Sequence, residues 1–356
     1  MKRAEDQEDL CLPTGTGLLF FVSSSGGTDV RKGMGRIILS KAGQLILSLF
    51  VLSIVTFLIS RLAPGNPLRA FYGDALEKMN PQQLATATEK LGLNDPLPTQ
   101  YIRWLQQAVH GDFGISYQYR QPVTQVIAQV GGNTFLLTAV SFILIFALGL
   151  LAAIVCVEHE GRWLDRWIQR VGVAAGSIPE FFMAMLMILI FASGLSMLPM
   201  SGAFSVGGGG AADRAVHLIL PAATLIITHF WYCAYLMRSR LSEEVSKDYV
   251  VLCKGKGMTQ RQVICRHCIR NIMPSAISIM AIFLPHLLGG AYVVEMVFSY
   301  PGLGKLGVES AQYHDYNMLM LVALITGAVV ILANIIAQLI NEGLDPRIRE
   351  ERGQML

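Results

Sequence analysis

Three ionisable residues inside long apolar stretches are the first candidates for chemistry in this sequence: Glu180, His229 and His286. An ionisable group in an apolar segment is costly to bury and is commonly functional. A carboxylate and two imidazoles suit a cationic ligand or a metal ion in transit. The competing interpretation is structural, because Glu180 follows Pro179 and its carboxyl group could bond to backbone groups that the proline leaves free.

A second group of potential ligands consists of Cys265, His267 and Cys268, with Cys253 upstream as a third thiol. Cys265 and Cys268 are three residues apart and share one face of a helix. A structural zinc site needs four ligands, and this spacing is not one of the standard zinc patterns. These residues are therefore metal candidates beside the alternative of reduced thiols at a protein contact surface.

No catalytic motif accompanies these residues. The P-loop pattern, H-E-x-x-H and G-x-S-x-G do not occur in the sequence. Residues 302–307 fit G-x-G-x-x-G, but they follow an apolar helix and not a strand, which excludes a dinucleotide site. We therefore predict that the chain is not an enzyme and has no cofactor of its own.

The composition is that of a membrane protein. Of the 356 residues, 53% are hydrophobic and 15% are charged, against about 25% charged in soluble domains. Long runs nearly free of charged residues occupy 42–60, 134–157, 171–198, 215–237, 272–294 and 318–340. At about 1.5 Å per residue, each run crosses the roughly 30 Å hydrocarbon core. The predicted fold class is an all-α membrane protein with six transmembrane helices, since backbone groups cannot bond to lipid.

Basic residues are distributed unevenly among the connecting segments. With the N-terminus inside, 20 of the 28 Lys and Arg residues fall in the inner segments, and eight of these lie in 238–271. Because positive residues are retained on the cytoplasmic side, we predict a multi-pass protein with both termini in the cytoplasm.

Both ends of the chain are predicted to lie outside the membrane domain, which we place at 34–350. Residues 1–33 hold acidic residues where a signal peptide would be apolar, and they predict a disordered N-terminal extension. Met34 is expected to be the natural start, or else the extension is a loose tail. Residues 351–356 are expected to form a short C-terminal tail.

The segment 61–133 after the first span is too long and too patterned for a plain loop. Asn80 and Pro81 predict a helix start, and further helices are expected from 98 to 111 and from 122 to 131. The apolar stripe of the last helix suits a position on the membrane surface. We interpret the segment as a small helical extracytoplasmic cap, packed on the spans or serving as a platform for an extracytoplasmic partner.

The segment 238–271, between spans four and five, is the most informative part of the chain. Thr259 and Gln262 have the spacing of a capping box, which predicts a helix running towards the fifth span. Gly255 and Gly257 are expected to end the helix before it, because glycine adopts unusual dihedral angles at little cost. The pattern predicts a compact cytoplasmic knob that fits a partner's groove, and the alternative is an ordinary basic loop.

Several motifs in order resemble one transporter family. Asp248-Tyr249, Lys256-Gly257, Arg270-Asn271 and Pro274 resemble the EAA loop of binding-protein-dependent ABC importer permeases. Further similarity lies at 91–97, 111–116, 177–179, 295–304 and 345–347. The resemblance covers about 34–350 and is greatest to the permeases for oligopeptides, dipeptides and nickel.

The resemblance implies partners and a location for this chain. In that family two permeases pair around a central pathway, two ABC ATPase subunits lie beneath them, and an extracytoplasmic substrate-binding protein delivers the ligand. ATP and Mg would belong to the ATPase subunits. We expect a bacterial inner membrane protein surrounded by lipid, with no nucleic acid partner. The EAA loop would dock in the ATPase, which assigns Asp248, Tyr249, Lys256 and Gly257 to coupling.

We therefore expect one half of a substrate pathway for small peptides, in which Glu180, His229 and His286 are the candidate pathway residues. An importer of nickel or of a metal–chelator complex is the alternative with the same architecture. An ATP-independent secondary transporter is a more distant alternative, because neither inverted repeats nor several buried charges are evident. An intramembrane enzyme would need a catalytic set that the sequence lacks.

Overall fold

The computed structural model describes residues 27–62, 67–90, 92–175 and 177–344. It divides into two units, residues 1–44 and residues 45–356, and the packing below is that within the second unit. Residues 27–33 of the predicted extension belong to a helix that begins at Gly27. The predicted disorder of residues 1–26 and the predicted tail 351–356 lie outside the described residues.

Helices make up nearly all of the described chain, where an isolated bridge between Ile115 and Pro122 is the one β-type pairing. The α-helices are α1 (Gly27–Leu62), α2 (Pro67–Tyr72), α3 (Pro81–Lys90), α4 (Leu97–Val109), α5 (Val123–Glu158), α6 (Trp163–Ala175), α7 (Glu180–Met187), α8 (Ala211–Val245), α9 (Asp248–Gly255), α10 (Gln260–Val263), α11 (Ile269–Val297), α12 (Leu303–Gln312) and α13 (Tyr316–Leu344). A 3-10 helix, Gly73–Lys78, follows α2, and π-helical segments Ile188–Gly194 and Ile264–Cys268 continue α7 and α10.

Among the described residues, five helical segments are long and apolar enough to cross a bilayer. They are Ser40–Leu62, Val123–Glu158, Ala211–Val245, Gln260–Val297 and Tyr316–Asn341. They contain five of the six predicted spans, in the predicted order. A helix satisfies its own backbone hydrogen bonds, which is the condition for crossing lipid. The all-α class is thus confirmed for the part of the chain that the structure describes.

The third predicted span, 171–198, is not one helix. α6 ends at Ala175, and a shorter apolar helix resumes at Glu180 and continues to Gly194. Pro179 is extended, with φ −63° and ψ 137°, and its ring disfavours a helical conformation of the residue before it. Glu180 therefore lies in the first turn of α7 and not nine residues into a continuous span. The six-span topology stays a prediction.

The first two helices expected after the first span are present. Asn80 Oδ1 accepts a hydrogen bond from the Gln83 N–H at 2.8 Å, and the Asn80 N–H donates to Gln83 Oε1 at 3.0 Å. This reciprocal cap confirms the predicted start of α3. α4 occupies the second predicted region, and Gly111 beyond it has a φ of +83°.

The third expected helix does not end at residue 131. It continues through Gly131 into the second span as α5, because packing along the helix outweighs the roughly 1 kcal/mol that an internal glycine costs. Its apolar stripe, Val123, Val126 and Ile127, is buried against α12 and α13. The expectation that this stripe lies on the membrane surface is therefore wrong.

Helix α8 lies at the centre of the core of the second unit. It packs on α5, α6, α7 and α11. Leu137, Leu225, Met237 and Leu287 are fully buried in the cluster that joins α8 to α5, α7 and α11. The arrangement places α7, α8 and α11 side by side, which matters for the candidate pathway residues.

The buried carboxylate of Glu295 joins α11 to α5 and α12. It accepts hydrogen bonds from Thr134 Oγ1 at 2.5 Å, from the Gly304 N–H at 2.7 Å and from the Lys305 N–H at 3.2 Å. The two N–H groups lie at the start of α12, where a helix has unpaired donors, so Glu295 caps that helix. The stretch 295–304 is therefore a structural joint.

Replacing Glu295 with alanine should lower the stability of the purified protein by about 3 kcal/mol, because buried donors lose their acceptor. The melting temperature in detergent measures the loss. Glu309→Ala is the matched control, since the side-chain contacts of Glu309 in the described part of the chain are less buried: a hydrogen bond accepted from Tyr119 Oη at 3.2 Å and an ion pair with Lys305 at 3.9 Å. Equal melting temperatures for the two variants would contradict the capping role of Glu295.

Candidate functional site

The segment between α8 and α11 forms two short helices joined by a turn, and residues 248–262 are called the knob below. Gly257 has a φ of +84°, a left-handed conformation that favours glycine. The Thr259 N–H donates to Gln262 Oε1 at 2.9 Å and the Gln262 N–H donates to Thr259 Oγ1 at 3.3 Å, which confirms the predicted capping box. α9 ends at Gly255, as predicted, and the left-handed turn follows at Gly257.

Glu244, buried near the end of α8, holds the knob in place. Its Oε1 accepts hydrogen bonds from Tyr249 Oη at 2.8 Å and Asn271 Nδ2 at 2.9 Å, and its Oε2 lies 2.6 Å from Lys247 Nζ. Tyr249 belongs to α9 and Asn271 to α11, so one carboxylate joins three helices. A buried carboxylate needs such partners, and charge-assisted hydrogen bonds are the stronger ones.

Tyr249 is the donor in this network. Burial raises the pKa of the Tyr249 hydroxyl, and its hydrogen bonds with Cys268 and Glu244 raise it further. The hydroxyl therefore stays protonated at neutral pH and donates to Glu244. Its side chain is partly buried in the joint, so Tyr249 positions the knob.

The outer face of the knob carries two exposed aliphatic side chains. Val250 is 1% exposed and packs on the core, whereas Val251 and Leu252 are 68% and 62% exposed. Three consecutive aliphatic residues on a helix cannot all face one core, because successive side chains are about 100° apart. That spacing is the signal that could have identified Val251 and Leu252 from the sequence.

The coupling residues named from the sequence occupy different environments. Asp248 and Lys256 are exposed at the two ends of α9, and Gly257 forms the turn. They surround the pair formed by Val251 and Leu252. The structure thus brings Asp248, Lys256 and the apolar pair onto one small unit, and it places Tyr249 behind them.

A second ion pair fixes the neighbouring helices. Arg238 Nε in α8 donates to Asp165 Oδ1 in α6 at 2.8 Å, and Asp165 is buried. Burial alone would raise the pKa of Asp165, but hydrogen bonds from the Gly161 N–H, Arg238 and Gln169 outweigh it and the pKa is lowered. Sequence reasoning missed this pair, since its members are far apart in the chain.

The candidate metal residues of the knob region do not assemble. Cys265 is exposed, whereas Cys268 is buried, with its Sγ 3.4 Å from Tyr249 Oη. Within the ranges that the structure describes, no three His, Cys, Asp or Glu side chains are placed to hold a metal ion. The geometry gives Cys265, His267 and Cys268 no support as a zinc site.

The ionisable residues of the apolar stretches come together beside α11. A Cβ atom on Gly290 would lie 3.2 Å from His229 Nε2 and 3.5 Å from Glu180 Cγ, so both side chains border this glycine. The Phe283 ring centroid is 5.3 Å from that of His229 and 6.3 Å from that of His286. His229 Nε2 is buried without a hydrogen-bond partner among the described residues, and His286 is exposed. The site offers a carboxylate beside an unused imidazole nitrogen.

Two family profiles match the chain. The profile described as binding-protein-dependent transport system inner membrane component matches residues 123–350. The profile of the N-terminal part of such membrane components matches residues 34–138.

Curated relatives are similar over most of their length. The chain is 33% identical over 305 residues to the glutathione transport system permease protein GsiC of Escherichia coli (strain K12), covering 86% of this chain and 96% of the relative. It is 31% identical over 299 residues to the oligopeptide transport system permease protein AppB of Bacillus subtilis (strain 168), covering 83% and 94%. A solved structure of the inward-facing MetNI methionine ABC transporter shares the fold, with a TM-score of 0.51 and 19% identity over 62% of this chain and 97% of that one.

Replacing Glu244 with alanine should loosen the knob, because Tyr249 and Asn271 lose their common acceptor. Amide hydrogen exchange in residues 248–258 should become at least about ten-fold faster, as expected when a joint worth about 1.4 kcal/mol or more is lost.

The matched control is Glu243→Ala. Glu243 is exposed, and its one side-chain contact within the described ranges is with Arg240, at 3.4 Å. If both variants exchange at the rate of the unaltered protein, Glu244 does not hold the knob.

Proposed function

This chain belongs to the binding-protein-dependent inner membrane components of ABC importers, within their peptide-transporting family, and we propose that it forms one half of a pathway for small peptides. As a permease subunit it is a transmembrane component and not a catalyst. The other half of the pathway would come from a second homologous permease. Two ABC ATPase subunits would bind ATP and Mg, and an extracytoplasmic binding protein would deliver the peptide.

The observation that carries the coupling part of the proposal is the exposed apolar pair Val251 and Leu252. Both lie outside the candidate spans, on a helix that Glu244 holds firmly. Apolar side chains exposed together away from lipid mark a protein contact. Asp248 and Lys256 flank the pair with opposite charges and would give the contact its orientation.

The Glu244 joint explains how a force on the knob would reach the membrane. α8 and α11 both end at this carboxylate, so displacement of α9 moves two spans together. Closure of the ATPase subunits would then be transmitted as rigid-body rotation of helices, a common form of conformational switching.

The interruption before Glu180 supports a pathway at α7. Non-helical backbone at membrane depth is tolerated where it is buried in protein or lines a water-filled cavity. We place the third crossing at α7 and its continuation to Gly194, with Glu180 facing the pathway beside His229 and exposed His286. Under this topology both termini are cytoplasmic and residues 61–133 form the extracytoplasmic cap.

A peptide is the substrate that this arrangement suits best. The N-terminal ammonium of a peptide would bind Glu180, and His229 Nε2 would offer one further hydrogen bond. Nickel would need several converging ligands, and no such group is present in the described part of the chain. The relatives named above transport glutathione and oligopeptides, which fits this choice.

The double variant Val251→Asp, Leu252→Asp should lower the recovery of ATPase subunits with the permease by at least about ten-fold, because burial of each side chain is worth roughly 1.5–3 kcal/mol. Co-purification from membranes measures the recovery. Val206→Asp is the control, since Val206 is an exposed valine too but lies in the connection before α8 on the opposite predicted side. Unchanged recovery with the double variant would refute docking through this pair.

Glu180→Gln should raise the KM for peptides with a free N-terminus by about ten-fold and leave N-acetylated peptides unaffected, because only the free ammonium pairs with the carboxylate. Uptake by the complete complex in proteoliposomes with ATP tests this. Glu77→Gln, an exposed carboxylate of the segment after the first span, is the control. An equal change for both kinds of peptide would show that Glu180 has a structural role.

A further inference from the structure

Two adjoining cavities lie beside α4, where the first span ends. The polar pocket, about 480 Å³, includes Arg61, Gln100 and Arg103 in its wall. The apolar groove, about 460 Å³, runs between α1, α4 and α13 and is lined almost wholly by aliphatic and aromatic side chains. Trp104 and Phe113 line both cavities, so the pocket and the groove meet at these two rings.

The polar pocket contains unused hydrogen-bonding capacity. Arg61 Nε and Nη1 and Gln100 Oε1 are buried and have no hydrogen-bond partner among the described residues. The other charged side chains that line the pocket have partners. Arg103 Nη1 lies 2.8 Å from Asp95 Oδ2, and Asp112 Oδ1 accepts a hydrogen bond from the Gly114 N–H at 2.9 Å. The Arg61 guanidinium lies over the Phe57 ring, 5.4 Å from its centroid, but two of its buried nitrogens have no acceptor, which is costly, so the pocket favours an anion at Arg61.

The apolar groove lies on spans that the chain leaves largely uncovered. In Ser40–Leu62 and in Tyr316–Asn341, only 17% of the most apolar 18-residue stretch is buried. In the other candidate spans at least 33% of that stretch is buried. Phe50 in the groove and Arg61 in the pocket are eleven residues apart on α1, about 16 Å along the helix. This distance is close to the roughly 15 Å thickness of one leaflet of the hydrocarbon core.

The geometry points to a site for one anionic phospholipid of the outer leaflet, with its phosphate at Arg61 and an acyl chain in the groove. Trp104, at the junction, has the position that aromatic residues favour at a membrane interface. Gln100 Oε1 needs a donor, which the hydroxyl groups of a glycerol headgroup supply. Phosphatidylglycerol combines the charge, the donor and the chain.

The test uses the permease purified with its partner subunits, delipidated in detergent. Phosphatidylglycerol should raise the melting temperature more than phosphatidylcholine does. Arg61→Gln should raise the phosphatidylglycerol concentration that gives half of the stabilisation about ten-fold, as for one lost charge-assisted contact. Arg69→Gln, an exposed arginine 3.6 Å from Glu77 and outside both cavities, should leave the response unchanged.

Three further measurements separate the possible occupants. Ala108→Trp fills the groove and should abolish the lipid response; loss of the second permease from this variant with the lipid response intact would overturn the proposal in favour of a protein contact. Stabilisation by inorganic phosphate equal to that by phosphatidylglycerol would overturn it in favour of a free-anion site. A phosphatidylglycerol with a photoreactive acyl chain should label residues 321–328 of the unaltered protein, and absence of this label would also refute it.

Discussion

The carboxylate of Glu244 is the contact on which the arrangement of the cytoplasmic side depends. A carboxylate that is 6% exposed is stable only if its oxygens are occupied, and here α9, α11 and the turn between α8 and α9 each supply a partner. The same hydrogen bonds that satisfy the charge therefore fix three helices in one geometry. The hydrogen bonds to Glu244 stabilise the knob more than its own short helices do, because helices of this length are marginally stable alone.

The lipid environment imposes a second constraint, and the chain meets it in an unusual way at one place. Most spans satisfy their backbone within continuous helices, but Pro179 interrupts the third apolar stretch. The first N–H groups of α7 then lack the acceptors that a preceding helical turn would supply. A carboxylate in that turn is favoured by the helix dipole, so the position of Glu180 has a local structural reason as well as a functional one.

Helix positions and caps followed from the sequence, whereas long-range partners did not. The apolar runs and the Asn80 and Thr259 caps depend on neighbouring residues, whose spacing is visible in the sequence. The partners of Glu244 and Glu295 depend on how distant helices pack, and periodicity carries no such information. The end of the helix after Pro122 was missed for the same reason, because burial against α12 and α13 keeps it intact across two glycines.

The length of α5 has a consequence for communication across the membrane. This one unbroken rod of 36 residues is about 54 Å long. One extremity packs under α12 and α13, and at the other Glu158 lies 3.5 Å from Arg261 of the knob. If α5 tilts within the core as a rigid body, its two ends move in opposite directions. Ligand arrival outside and nucleotide turnover inside would then act on the same tilt angle.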